Sequence, residues 1–105
     1  MRTFLLATVA MLAACNETTK IDVASTLDKN VIMPLEAGSL ENYSRYYTKT
    51  RNGWRGLLFE TAEGQGKAEL TDNPPIPVMD GGCGVVRARF DNEMKFLGAS
   101  CNGEG

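Results

Sequence analysis

The chain has 105 residues, eleven Lys and Arg against thirteen Asp and Glu, a net charge of −2 and no histidine. That length holds one small domain, and mild acidity gives no general basis for binding nucleic acid. Without histidine the Ser-His-Asp and Cys-His arrangements are excluded, and the commonest general base at neutral pH is missing.

Residues 1–14 read as a targeting segment. Arg2 supplies one charge, and Phe4 to Ala14 carry no charge and one polar residue, Thr8. A helix of about eleven residues spans roughly 16 Å, whereas a bilayer core needs about twenty residues. The apolar run ends in Leu12-Ala13-Ala14-Cys15, and over residues 1–15 the chain resembles a bacterial lipoprotein precursor. The resemblance implies a diacylglyceryl group on the Cys15 thiol and cleavage before Cys15. It also implies membrane attachment through the lipid and an address in the cell envelope, facing the periplasm. Asn16 stands where an Asp favours inner-membrane retention, which points to the outer membrane. An ordinary secretory cleavage after Ala14 and a core cysteine in an N-terminal helix are the alternatives. On the first reading, residues 15–24 are the lipidated cysteine and its tether, and residues 25–105 form a single β-rich domain.

A short helix is expected from about Thr26 to Asn30 with Ser25 as its cap, and Pro34 ends any helix there. Residues 43–62 read as a β-hairpin, because Asn52-Gly53 is a favoured pair for a type I′ turn. Centring the turn on that pair sets Tyr46 opposite Phe59, Thr48 opposite Leu57 and Arg45 opposite Glu60. The face bearing Tyr46, Thr48, Leu57 and Phe59 is then assigned to the core. Residues 63–82 are rich in Gly, Pro and acid and read as a long surface loop. Lys67 to Leu70 offer a short strand within it, and Ile76 to Met79 a second one confined to an edge by prolines.

Residues 83–101 read as a second hairpin turning at Asp91-Asn92-Glu93. Val86, Ala88 and Phe90 alternate with Val85, Arg87 and Arg89. Centring on Asn92 sets Val86, Ala88 and Phe90 beside Gly98, Phe96 and Met94, and leaves Arg89 facing Lys95. The same register brings Cys83 opposite Cys101, so these two are expected to form a disulfide, which leaves Cys15 for the lipid. The fold class expected is mainly β, two antiparallel hairpins in one sheet with a short helix or irregular N-terminal part. No cofactor is expected, and no metal, since two cysteines without histidine do not make a zinc site.

Glu60, Glu63, Glu69 and Asp72 read as a solvated acidic loop. Tyr43 to Arg55 is a more specific run: Tyr43, Arg45, Tyr47, Lys49, Arg51, Trp54 and Arg55 interleave aromatic and basic residues without an acid. Such a mixture suits stacking on sugar rings and pairing with phosphate or carboxylate, so it is a candidate binding surface for an envelope glycan or protein. Ordinary hairpin packing, with alternate aromatics turned inward, is the competing reading. The ending DGGC…SCNG, with residues 43–103, resembles small uncharacterised exported proteins of Gram-negative bacteria, a likeness that brings no activity with it. The expected role is therefore non-catalytic, in binding or structure, with inhibition of a secreted hydrolase such as lysozyme as the alternative.

Overall fold

The computed structural model describes residues 22–77 and 82–102. The lipobox with Cys15 lies outside them. A helix, α1, covers residues 22–30, followed by a short 3-10 turn, Leu40–Asn42. Five strands follow: β1 (Tyr43–Thr50), β2 (Gly53–Glu60), β3 (Ala68–Leu70), β4 (Gly82–Phe90) and β5 (Phe96–Asn102). They form one sheet in the order β3-β1-β2-β4-β5. All pairings are antiparallel except β1 with β3.

The helix begins ahead of the expected Ser25 cap. Its Val23 and Leu27 recur at the spacing that puts side chains on one face, and Val31 continues the stripe. Leu27 is fully buried, and Val23 and Val31 pack against the same core. Pro34 excludes further helix, as expected.

The first hairpin forms, but its register lies two residues from the expected one. Thr50 pairs with Gly53, so Arg51-Asn52 make the turn and Tyr46 faces Leu57. Both turn residues keep negative φ, which rules out the type I′ geometry. Gly53 is used instead as a strand residue, because a Cβ there would collide with the carbonyl of Phe90 on the neighbouring strand. The expected aromatic contact survives as a diagonal one, with Tyr46 and Phe59 edge to face at 5.8 Å between centroids. Arg45 faces Leu58 rather than Glu60.

The core lies on the other face of this hairpin from the one assigned to it. Tyr43, Tyr47 and Leu58 are buried with Leu27, Val86, Ala88 and Phe90. A two-residue shift preserves which side chains share a face. Of the assigned face only Leu57 is buried, at 4% exposed; both faces carry large apolar residues, and α1 covers the one with Tyr43 and Tyr47. Gly56 completes that packing, since the Tyr47 ring lies directly over it, about where a side chain would stand.

Residues 61–67 then cross the beginning of β1. Thr61 N–H donates to the Asn42 carbonyl at 2.8 Å, and Gly64 N–H donates to Asn42 Oδ1 at 2.8 Å. This places β3, within the expected Lys67–Leu70 strand, outside β1 and parallel to it. Of the second expected strand, Ile76 and Pro77 are not in strand conformation, and the remainder lies outside the described residues.

The second hairpin carries register shifts near both of its ends. Phe90 pairs with Phe96, whereas Arg89 pairs with Gly98, Ala88 with Ala99 and Val86 with Cys101. The irregularity swaps Gly98 for Ala99 on the core side and removes the expected Arg89–Lys95 clash. Its source is the turn: Met94 adopts φ 68°, Met94 N–H donates to the Asp91 carbonyl, and Asp91 Oδ1 accepts from Glu93 and Lys95 N–H. The turn is thus a three-residue loop, residues 92–94, closing with a left-handed residue and centred one residue later than expected. The Cys83–Cys101 disulfide is present, with Cα atoms 4.5 Å apart. It lies in the irregular stretch between Gly82 and Val86, where strict cross-strand pairing is suspended.

Candidate functional site

Strand alternation decides the fate of the aromatic and basic run. In β1 the residues Tyr43, Arg45, Tyr47 and Lys49 all point to the α1 side, since side chains two apart share a face. Tyr43 and Tyr47 are therefore core residues, 1% and 0% exposed, and do not form a binding surface. The Tyr43 hydroxyl donates to the Cys83 carbonyl at 2.6 Å and accepts from Gly38 N–H. It ties β1 to the disulfide-bearing start of β4.

Arg45 is likewise committed to the fold. Its guanidinium grips Asp28 of α1 with Nε on Oδ1 at 3.2 Å and Nη2 on Oδ2 at 2.8 Å. The Tyr47 hydroxyl donates to the same Oδ1 at 2.6 Å. Two-point Arg–carboxylate pairing fixes orientation as well as charge, so this cluster pins the helix to the sheet in one pose. Burial and the hydrogen bond to Asp28 push the Tyr47 phenol well above its ordinary range, with the carboxylate's charge adding to the shift. For Arg45, burial works against the charge, yet the hydrogen bonds and charge of Asp28 outweigh it and raise its affinity for the proton.

A pH dependence follows from Tyr47. A phenol whose folded-state value is raised contributes stability that is complete below its unfolded value of about 10 and is lost as pH rises beyond it. Unfolding midpoints in urea are expected to fall above about pH 10, and Tyr47→Phe is expected to flatten part of that decline. An identical alkaline slope in both proteins would overturn the assignment.

The rest of the run is dispersed. Lys49 Nζ bonds the Thr50 carbonyl and Asn92 Oδ1, and sits 5.8 Å from the centre of the Trp54 ring. Arg51 is exposed in the turn, and Trp54 is half-buried against the core. Arg55 is exposed on the opposite face, paired with Arg89 of β4. The structure thus brings together Lys49 and Trp54, and leaves Arg55 on the opposite face, where it shares only the rim of a shallow hollow with Trp54.

That opposite face holds an arrangement the sequence reading missed. Arg55, Arg87 and Arg89 converge there around an open groove of about 320 Å³, lined also by Gly98 and Ser100. Beside it, Tyr46, Leu57, Phe59 and Val85 make an apolar half, with Leu57 facing Arg87 and Phe59 facing Val85. Alternation in β4 already put Arg87 and Arg89 on one face. Adding Arg55 required the β2–β4 pairing, which no local pattern encodes.

Glu36 lies near the disulfide sulfurs. Sulfurs bonded to each other are not thiolate ligands, so the grouping offers a single carboxylate and no metal site. Comparison of the chain with known protein families, with curated proteins and with solved structures finds no match.

Proposed function

We propose that the protein is a lipid-anchored component of the bacterial cell envelope, attached through Cys15, that acts by binding and not by turnover. Leu12-Ala13-Ala14-Cys15 supports the anchor, and a diacylglyceryl group supplies the two chains that stable attachment takes. Asn16 favours the outer membrane, with the domain facing the periplasm and an envelope glycan or protein as partner. The observation that carries the binding role is the division of polar groups between the faces. Asp28, Arg45 and Tyr47 are consumed in holding α1 to the sheet, whereas on the other face Arg55 and Arg89 line an open groove and form no ion pair among the described residues.

Intact-mass measurement of the protein from bacterial membranes tests the anchor. The expected product begins at Cys15 and carries the diacylglyceryl adduct; an unmodified mass or another N-terminus overturns it. Crosslinking in intact cells, followed by identification of the captured species, tests the binding role. A stoichiometric complex with a secreted hydrolase such as lysozyme would favour the inhibitor reading instead.

A further inference from the structure

Arg55 and Arg89 stand directly opposite each other on β2 and β4. Directly paired residues hold their Cβ atoms about 4.5–5.5 Å apart, and like charges in that position are destabilising. Neither arginine's side chain has a hydrogen bond or ion pair among the described residues. The arrangement therefore costs stability and returns nothing to the fold, in contrast to Arg45, which is fully engaged. On the next strand Arg89 faces Gly98, and its Nη2 lies 3.3 Å from the point where a Cβ would project. The absent side chain leaves the groove floor open beside the guanidinium, and Ser100 adds a hydroxyl to its wall.

We propose that Arg55 and Arg89, with Ser100, form a binding site for a phosphate monoester group. Both arginines line the one groove, and each guanidinium offers a planar fork of N–H donors. A carboxylate saturates one fork with its two oxygens and carries one charge. A phosphate monoester offers three acceptor oxygens and nearly two negative charges, enough to engage both forks and cancel their repulsion. Tyr46 and Phe59, half-buried and edge to face on the same side of the sheet, would lie against whatever carries the phosphate. This gives the binding role proposed above a ligand class and rests on it, but not on the lipid anchor. The anchor is read by mass and the partner by crosslinking, so failure here is distinguishable from failure there.

The test is thermal unfolding of the full protein in detergent, at constant ionic strength set with chloride. Wild type, Arg55→Gln and Arg89→Gln are compared in buffer, with inorganic phosphate, and with phosphatidic acid in mixed micelles. In buffer alone both variants are expected to melt at or above the wild-type temperature, because each removes a like-charge pair. Inorganic phosphate is expected to raise the wild-type midpoint in a saturable way and to leave both variants unmoved. A rise with phosphatidic acid but none with inorganic phosphate, again lost in both variants, supports the site and identifies a lipid headgroup as its source. No rise with either probe, or equal rises in wild type and variants, overturns the proposal. So does a fall of both variants below wild type in buffer, since the arginines would then be serving the fold.

Discussion

Removing the Cys83–Cys101 bond is expected to lower the unfolding free energy by about 3 kcal/mol. The two residues are 18 apart in sequence, and closing a loop of that size withdraws about this much chain entropy from the unfolded state. For so small a domain each kcal/mol moves the melting temperature by about 4–8 °C, so the midpoint should drop by roughly 12–24 °C. The measurement is thermal unfolding of the oxidised protein against the Cys83→Ser, Cys101→Ser double variant, monitored by far-UV circular dichroism. A drop of less than about 4 °C, the shift expected for 1 kcal/mol, would mean that the bond is incidental to stability. The fold has reason to depend on it, because among the described residues the main core cluster is small and lies between the sheet and one short helix.

Asp28→Ala should be comparably severe, by about 3 kcal/mol in urea unfolding. The substitution strands two groups together. Arg45, with a side chain only 12% exposed, loses its carboxylate and keeps only the Tyr43 and Leu40 carbonyls, and the Tyr47 hydroxyl loses its acceptor. Breaking a buried pair from one side costs about 3–5 kcal/mol, and the 21% exposure of Asp28 argues for the lower end. Tyr47→Phe should cost about 1 kcal/mol in comparison, since Asp28 keeps Arg45 and only a neutral donor is lost. If the two variants lost equal stability, the ion pair would have no role in seating α1. Asp28→Asn separates charge from hydrogen bonding: it retains an acceptor for Tyr47 and should fall between the two.

The particulars explain what alternation could reveal. Phe90 and Phe96 were correctly placed together on the core side, and their rings meet at 5.8 Å. Both hairpins and the disulfide were legible because each is encoded within about twenty residues by turn chemistry and a period of two. Three features were not, and each depends on a distant partner. The core face of β1 is set by α1, whose Asp28 meets Arg45 seventeen positions further on. Gly53 reads as a turn residue until β4 is beside it, when its missing side chain is seen to make room for the Phe90 carbonyl. The Tyr43–Arg55 run looked like one surface because its members are neighbours in sequence. Alternation divides such a run, and which half meets solvent is decided by the element that covers the sheet. Conversely, Arg55 and Arg89 lie far apart along the chain, so only strand pairing could join them.

The position of the cross-link has a consequence in time. It joins β4 to β5 and reaches no other strand. Each hairpin brings together neighbours along the chain, an event of microseconds. The β2–β4 ladder instead joins the two halves across the whole 61–81 segment, and contacts between distant residues are slow to form. Oxidation shortens no part of that search. The thiols can pair as soon as the last hairpin closes, while the central seam is still open. The bond therefore secures one half of the molecule and leaves the speed of its assembly to the encounter of β2 with β4.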